Sequence, residues 1–372
     1  MTATRVLFLA SDLGANGAAK QLALLAPRLV AEGITPAAAV LSKADTPFAD
    51  RLRAAGVSVH AIPMRSPIDP TGRRQLRTLV AAFDPSAIHA WGAAAVRVGR
   101  ALSRWGGPPL VASSAADPGT GIGGWFTTRS LRAADRVVAA SWAEAEEYRK
   151  LGVVGDNLTR IHPGVEPAPP PPPDRSAILQ EFGLPPTARL IVTAGRLEAS
   201  DGLKAAIHAY DFLRYDFPDV HLVIVGDGPD RAGLVAYART LAFDDLRVHF
   251  PGPRADLPAV LGLAKLVWVL QPRGGVNLAL EAMAAGRPVV GWNNPDVAEV
   301  VADGETGLLV AVGDKAQVAA RAHGLLTDPA AADRLGAAGA ARAAERFGAD
   351  RMAAPYARVY HDLTRRARGG SP

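Results

Sequence analysis

The sequence predicts two doubly wound α/β domains in tandem, and three observations lead to this prediction. The chain has 372 residues, which is long for one domain and sufficient for two separate cores. Short apolar runs alternate with helix-length amphipathic segments throughout, as is typical of parallel sheets covered by helices. The alternation is interrupted by a proline-rich run over residues 166–174 and then restarts. Consecutive prolines exclude a helix or a central strand, so we expect a semi-rigid linker there.

The N-terminal domain is predicted to span residues 1–167. Buried parallel strands are expected at Val6–Ala10, Ala37–Leu41, Ala87–Ala90, Leu110–Ser113 and Val137–Ala140. Helices are expected between them at Gly17–Ala31, Thr71–Phe83, Ala93–Trp105 and Trp142–Leu151. The glycine-rich segment Gly119–Phe126 is expected to be a loop. It fits either a mobile loop that covers an acceptor or touches a membrane, or an ordinary loop with buried aromatic anchors.

The C-terminal domain is predicted to span residues 168–349. Its strands are expected at Leu190–Ala194, His221–Val225, Arg247–Phe250, Leu266–Leu270, Pro288–Gly291 and Leu308–Val310. A final helix over about 350–368 could pack on either domain and is provisionally assigned to the N-terminal one. Because ligands of doubly wound sheets bind at the carboxyl ends of the strands, two such domains predict a binding cleft between them.

Composition narrows the class of protein. Hydrophobic residues make up 49% and charged residues 21%, which is globular rather than disordered composition. The absence of cysteine excludes disulfides and thiolate metal sites. No apolar run approaches the roughly 20 residues that span a bilayer, and the run at residues 6–10 is too short for a signal-peptide core. We expect a cytoplasmic protein, with peripheral attachment at the inner membrane face as the alternative.

Positive charge is concentrated in the N-terminal half. Residues 1–167 hold 19 lysines and arginines against 13 acidic residues, whereas residues 168–372 hold 22 against 23. Part of the excess lies in clusters at 73–77 and 97–104. They fit the solvated faces of two helices or a surface for an anionic partner, such as a lipid phosphate or an acidic membrane. Nucleic acid is not expected, because the basic runs lack interleaved aromatic residues.

The glycine pair Gly274–Gly275 is the feature most indicative of a binding site. It follows a predicted strand and opens a predicted helix. Glycines allow backbone amides to approach a ligand, and the amides at a helix start favour a diphosphate. Glu281 lies one turn further, on the side of Asn277, where its carboxylate can accept hydrogen bonds from ribose hydroxyls. Taken alone, these residues also fit an ordinary turn followed by a surface glutamate.

Several ordered blocks of sequence carry a family pattern. The strongest is 280–290 (LEAMAAGRPVV), which continues through 298–310 and Gly313-Asp314. The others are Ala194–Leu197, Val223–Pro229 and the weaker matches at 16–22, 134–141, 162–165 and 345–347. Together these blocks resemble the group 1 retaining glycosyltransferases of GT-B fold, and they cover nearly the whole chain.

The resemblance implies transfer of a sugar from a UDP- or GDP-linked donor to an acceptor with retention, in polysaccharide or glycolipid biosynthesis. It implies no metal, no other cofactor and no dedicated carboxylate nucleophile. Arg196 looks like the family's diphosphate arginine. Its guanidinium can bind phosphate in bidentate fashion. The catalytic candidates are Arg196, Lys204 and Glu281. The expected substrate contacts are Gly14, Gly17, His89, Gly226, Arg273, Gly274, Gly275, Val276, Asn277 and Leu278.

Three positions depart from the family pattern. Arg273 stands where a glutamate usually contacts the donor sugar, which reverses the charge. Asp201 stands where a lysine is expected, and Lys204 either substitutes for it or is a surface lysine. The usual N-terminal histidine is missing, and Ser114, Ala115 and Ala116 stand there instead. His89 is the nearest alternative and fits a core histidine equally well.

Two hypotheses for function follow. The first is an active transferase with an unusual donor, in which Arg273 recognises an anionic sugar such as a uronic acid. The second is a catalytically impaired homologue that acts as a nucleotide-binding or scaffold partner. A nucleotide-sugar epimerase of the same fold matches the blocks less well. The acceptor (glycan, lipid-linked or small molecule) stays open.

Overall fold

In the computed structural model of the chain, residues 4–14, 16–104, 106–170, 174–198, 202–242 and 247–367 are described. The chain divides into two units. Unit 1 comprises Met1–Gly164 together with Ala349–Pro372, and unit 2 comprises Val165–Gly348. Each unit has its own parallel sheet, as the sequence predicts.

Unit 1 contains a seven-stranded parallel sheet in the order β3-β2-β1-β4-β5-β6-β7. The strands are β1 (Thr4–Ala10), β2 (Ile34–Val40), β3 (Ser58–Ala61), β4 (Ala87–Trp91), β5 (Leu110–Ser113), β6 (Arg136–Ala139) and β7 (Leu158–Arg160). The central strands are buried on both faces, which explains their nearly continuous apolar sequences. The edge strand β3 is largely exposed and less apolar, and the sequence pattern did not reveal it.

The helices of unit 1 cover both faces of this sheet. They are α1 (Gly17–Arg28), α2 (Pro47–Ala54), α3 (Pro70–Phe83), α4 (Ala93–Leu102), α5 (Gly121–Arg132), α6 (Trp142–Lys150) and the terminal helix α15 (Ala349–Ala367). Side-chain caps fix several of their starts. The side chain of Asn16 accepts from the amide of Ala19 at the start of α1, and that of Ser141 accepts from Glu144 at the start of α6.

The terminal helix α15 belongs to unit 1. Its buried residues Met352, Tyr356, Tyr360 and Leu363 pack in the same core cluster as Phe8 of β1. The chain therefore leaves unit 1 after Gly164 and returns to it at Ala349.

Unit 2 contains a six-stranded parallel sheet in the order β10-β9-β8-β11-β12-β13. The strands are β8 (Arg189–Ala194), β9 (Val220–Val225), β10 (Val248–Gly252), β11 (Ala264–Val269), β12 (Val289–Trp292) and β13 (Gly307–Val310). All six predicted strands of this half are present. Two core clusters, one on each face, include Val192 and Val267 on one side and Ile191 and Trp268 on the other.

The helices of unit 2 alternate with these strands. They are α7 (Arg175–Glu181), α8 (Leu203–Leu213), α9 (Arg231–Ala242), α10 (Leu257–Leu263), α11 (Val276–Ala284), α12 (Pro295–Val300), α13 (Lys315–Thr327) and α14 (Pro329–Phe347). Prolines begin α12 and α14, where their missing N–H costs no intrahelical bond. Residues 171–173 of the predicted linker lie outside the described residues.

One prediction about unit 1 is wrong. Residues 121–126, expected in a loop, form the start of helix α5. The aromatic side chains are not buried anchors either, since Trp125 and Phe126 are both exposed. Close packing explains one of the glycines in this helix, Gly124. A Cβ on this residue would lie 2.2 Å from the carbonyl oxygen of Gly119, so close packing requires glycine.

Candidate functional site

The loops at the carboxyl ends of β8, β9, β11 and β12 form one edge of the unit 2 sheet. These strands are consecutive neighbours in the sheet, in the order β9-β8-β11-β12. The loop after β11 contains the predicted glycine pair. Gly274 and Gly275 have φ angles of 70° and 85°, in the left-handed region that favours glycine. Gly275 is the N-cap of α11.

Asn294 holds the glycine turn in place from the loop after β12. Its side-chain amide donates to the carbonyl oxygens of Gln271 at 2.7 Å and Gly274 at 3.3 Å. Its side-chain oxygen accepts from the amides of Asp296 and Val297, both at 2.9 Å, and so caps α12. Asn294 is fully buried. One side chain therefore orients the start of α12 and fixes two carbonyls of the turn before α11.

Asp296 and Gln271 complete this framework. The amide of Gly274 donates to a carboxylate oxygen of Asp296 at 2.8 Å. The side-chain amide of Gln271 donates to the carbonyl of Ala194, the last residue of β8, at 3.3 Å. A Cβ on Gly275 would lie 2.8 Å from Cγ1 of Val269, so the turn is closely packed on the sheet. None of these positioning residues is among those expected from the sequence, although Asn294-Pro295 is a recognisable helix-start signal.

The glycine turn presents the first amides of α11. The first four N–H groups of a helix have no acceptor within the helix, and the helix dipole makes this end favourable for an anion. Val276 and Asn277 are half-buried in this first turn, whereas Leu278 is buried in the core. Leu278 can therefore contribute only its backbone to a ligand. The geometry suits a phosphate group at the start of α11.

Arg196 lies on the neighbouring loop, directly after β8. Its side chain is 69% exposed, and its Nε forms an ion pair with Glu198. The backbone around it is fixed by close packing on the loop after β9. A Cβ on Gly226 would lie 1.9 Å from the carbonyl oxygen of Gly195, so only glycine fits. Gly226 therefore supports the arginine loop, and the guanidinium of Arg196 is accessible from solvent.

The remaining predicted residues of unit 2 lie around the same edge. Arg273 is exposed immediately before the glycine turn. Glu281 is 7% exposed in α11, which leaves little of its side chain accessible in this conformation. Lys204 is exposed in the first turn of α8, with its Nζ 5.9 Å from the ring centroid of Tyr237. Asp201 lies outside the described residues. The prediction that Asp201 replaces a lysine of the family pattern therefore stays a prediction.

In unit 1, the predicted contacts Gly14 and Gly17 lie between β1 and α1. The amide of Gly14 donates to a carboxylate oxygen of Asp12 at 2.9 Å, and Asn16 donates to the same oxygen at 2.7 Å. Asn16 also caps α1, in which Gly17 is the first residue. Asp12, just after the central strand β1, thus accepts hydrogen bonds from both Gly14 and Asn16.

His89 is a core residue, and its predicted contact with substrate is corrected accordingly. The side chain is 0% exposed on β4. Its Nδ1 is hydrogen-bonded to the hydroxyl of Tyr360 at 2.7 Å and its Nε2 to that of Ser113 at 2.8 Å. Burial lowers the pKa of His89 from 6.5 to about 3, because the charged imidazolium has no solvent there. His89 links β4, β5 and α15.

Ser114 is the first of the three residues that stand where the family pattern has a histidine. It is exposed at the carboxyl end of β5 with a φ of 53°, an uncommon value for a residue with a side chain. The next amide, of Ala115, donates to the hydroxyl of Tyr148 at 2.9 Å. The strained backbone at this strand end is held by a buried tyrosine.

Two known protein families match this chain, one mainly over unit 1 and the other over unit 2. Residues 188–328 match the family described as "Glycosyl transferases group 1", and residues 15–168 match "Glycosyltransferase Family 4". Both matched segments are glycosyltransferase domains, one of group 1 and one of family 4. The strongest block of the pattern, residues 280–290, forms the second half of α11, the turn at Gly286 and the start of β12. The Asn294 framework lies directly after that block.

Individual relatives agree with this assignment. A D-inositol 3-phosphate glycosyltransferase of Streptomyces bingchenggensis is 33% identical over 246 residues, covering 63% of this chain and 54% of that relative. An N-acetyl-α-D-glucosaminyl L-malate synthase of Bacillus anthracis is 26% identical over 198 residues, covering 53% and 51%. The matches thus span about half the length of these curated relatives.

Solved structures show the same fold. The structure of Anabaena HepE in complex with UDP-glucose aligns with 96% of this chain and 99% of its own, with a TM-score of 0.82 at 21% identity. The two parallel-sheet units therefore have the GT-B fold of these transferases. Within the described ranges, no helix has both the length and the hydropathy required to cross a bilayer.

Proposed function

We propose that this chain transfers a sugar from a nucleoside diphosphate sugar to an acceptor hydroxyl, with retention and without a metal ion. The observation that carries the proposal is the rigid turn Gly274–Gly275, which Asn294 and Asp296 hold at the start of α11. The exposed Arg196 follows the adjacent strand β8. Helix-terminal amides and a guanidinium at neighbouring strand ends match the chemistry of a diphosphate.

The proposed reaction breaks the bond between the anomeric carbon and the diphosphate oxygen and forms one to the acceptor oxygen. The acceptor proton passes to the departing phosphate. Negative charge grows on that phosphate, so cations and amides fixed beforehand lower the barrier. Arg196 and the amides of residues 275–277 fill this role, with Lys204 as a further cation. Glu281 is the proposed acceptor of hydroxyl hydrogen bonds. UDP is the first candidate, because HepE binds UDP-glucose.

Arg273 is proposed to select the donor sugar. Its exposed guanidinium stands beside the glycine turn, where the family pattern has a glutamate. A cation there favours a carboxylate on the sugar, as in a uronic acid.

The second candidate is a nucleotide-binding protein without transfer activity. Two observations favour it. Arg196 forms an ion pair with Glu198, and Arg273 stands at the position where the family has a sugar-contacting glutamate. A carboxylate already paired with the arginine competes with a phosphate for it.

Calorimetric titration tests the nucleotide site. UDP, GDP, UDP-glucose and UDP-glucuronate are titrated into the wild type, Arg196→Ala and the control Arg334→Ala, which removes an exposed arginine from α14. Loss of one charge-assisted hydrogen bond predicts about tenfold weaker binding for Arg196→Ala. Equal affinity in both variants, or no saturable binding by the wild type, would exclude the site.

Product analysis separates the two candidates and tests selectivity. Acceptors include D-inositol 3-phosphate and L-malate, the compounds in the relatives' names. Retained anomeric configuration, measured by NMR with and without EDTA, is expected of the transferase. Nucleotide binding with neither transfer nor donor hydrolysis favours the second candidate. A preference for UDP-glucose over UDP-glucuronate, unchanged in Arg273→Glu, contradicts the role of Arg273.

A further inference from the structure

Helix α5 presents an apolar face to solvent. Ile122 is 78% exposed, Trp125 is 58% exposed and Phe126 is 49% exposed. Their spacing of three and four residues places them on one side of the helix, within an arc of about 100°. The rings of Trp125 and Phe126 contact each other edge to face, with centroids 4.9 Å apart. Three large apolar side chains of one helix are thus exposed together.

The opposite face of α5 is packed into unit 1. Gly124, Thr127 and Leu131 are buried there, and α5 contacts α4. Arg97 of α4 fixes the two helices by donating to the hydroxyl of Thr127 at 2.7 Å and to the carbonyl of Gly123 at 3.3 Å. The orientation of α5 is therefore set by these contacts with α4, and Ile122, Trp125 and Phe126 are exposed on its other side.

The segment of the chain that carries this face is basic in sequence. Between residues 93 and 132 the sequence has five arginines (Arg97, Arg100, Arg104, Arg129 and Arg132) and a single acidic residue, Asp117. The carboxylate of Asp117 accepts from the amide of Gly119 at 3.0 Å. Arg129 lies on the apolar face itself, with its Cζ 5.8 Å from the centroid of the Trp125 ring. An apolar stripe that carries an arginine and lies in a basic segment of the chain is complementary to a surface that is apolar inside and anionic outside.

We propose that α5 is an interfacial docking helix that inserts Ile122, Trp125 and Phe126 into an anionic lipid bilayer. Arg129 then contacts the lipid phosphates. Trp is favoured at such boundaries because its ring is amphipathic, and arginine side chains extend to the headgroups while their stems cover apolar surface. A helix of this composition lies in the membrane plane and does not span it. This inference is independent of the proposed catalytic function.

Vesicle co-sedimentation of the full chain tests the proposal. The vesicles are phosphatidylcholine alone or mixed with phosphatidylglycerol. The test variant is Trp125→Ser/Phe126→Ser, which changes exposed side chains only. The matched control is Trp142→Ser, since Trp142 is 56% exposed at the start of α6, outside α5. We expect the wild type and Trp142→Ser to bind the mixed vesicles equally. The double variant should bind at least tenfold more weakly, and Arg129→Gln about fivefold more weakly.

Quenching by brominated lipid provides a measurement that does not depend on the double variant being folded. The tryptophan fluorescence of the wild type is compared with that of Trp125→Phe, and the difference isolates Trp125. We expect brominated vesicles to quench this difference signal. The difference signal of Trp142, obtained in the same way from Trp142→Phe, should not be quenched.

Four results would overturn the proposal. They are no binding of the wild type to mixed vesicles, equal binding to neutral vesicles, equal losses in the double variant and Trp142→Ser, and no quenching of Trp125. Self-association of the wild type, abolished in the double variant without vesicle binding, would instead identify a second copy of the chain as the occupant.

Discussion

The assignment of His89 to the core makes a specific prediction about stability. The perturbation is His89→Gln, which removes the imidazole of a buried network that joins Ser113 on β5 to Tyr360 on α15. At pH 7 the variant loses ring packing and one or both hydrogen bonds, so we expect it to be about 1–3 kcal/mol less stable. This loss alone does not distinguish His89 from other buried residues, but its pH dependence does.

The magnitude follows from the difference between the folded and unfolded pKa. Burial lowers the pKa of His89 from 6.5 to about 3. Above pH 6.5 neither state is protonated, and the wild type has its full stability. As the pH falls towards 3, only the unfolded state takes up the proton, so stability is lost at about 1.4 kcal/mol per pH unit. Between pH 6 and pH 4 the loss from His89 is about 2.5 kcal/mol.

Urea denaturation of wild type and variant across this pH range measures the effect. The difference in unfolding free energy should shrink by about 2.5 kcal/mol from pH 6 to pH 4. His249, whose pKa burial lowers to about 4 beside His221, is present in both proteins, so its contribution cancels. Tyr360→Phe is the control, because it keeps His89 and should keep the wild-type pH dependence. Parallel stability curves for wild type and His89→Gln would refute the reasoning, as would a specific loss of nucleotide affinity in the folded variant.

Two further predictions concern unit 2. Gly226→Ala should destabilise the chain by about 3 kcal/mol or more, because the residue has a φ of 141° and its Cβ would lie 1.9 Å from the carbonyl oxygen of Gly195. The matched change Gly324→Ala in α13 meets no atom within 4 Å and should stabilise it by about 0.5–1 kcal/mol, as thermal unfolding can establish. Asn294→Ala should cost about 2–4 kcal/mol by removing a helix cap and leaving buried carbonyls unpaired. Asn294→Asp keeps the cap oxygen but not the donor, so calorimetry should show it to be folded and weakened in UDP binding; undiminished affinity would contradict the framework role.

Much of the fold could be predicted because parallel strands have a local signature. The central strands β1, β4, β8 and β9 are buried on both faces, and that burial appears in the sequence as short apolar runs. The edge strands β3 and β7 lack such runs, and the pattern missed both. Their places in the sheet are fixed by hydrogen bonds to β2 and β6, which are contacts across the chain.

The glycines were the least reliable guide to local structure. In Gly274–Gly275 they mark a turn with positive φ angles, as predicted. In α5, Gly123 and Gly124 lie within a helix. The difference is one of packing: Gly124 has no room for a side chain against Gly119, and this approach exists only in the folded unit. The exposed apolar face of α5 could not be anticipated from a segment predicted to be a loop.

The sequence by itself determined the two doubly wound units, the strands in the centre of each sheet and the glycine turn before α11. These features depend on periodicity and on backbone preferences of neighbouring residues, which are encoded locally. The tertiary structure decided that α15 packs on unit 1, that His89 is buried rather than available to substrate, and that Asn294 and Asp296 hold the turn. Each of these depends on contacts between residues that are distant along the chain or lie in separate loops. Such contacts decide which side chains are buried, and they form only when the chain folds.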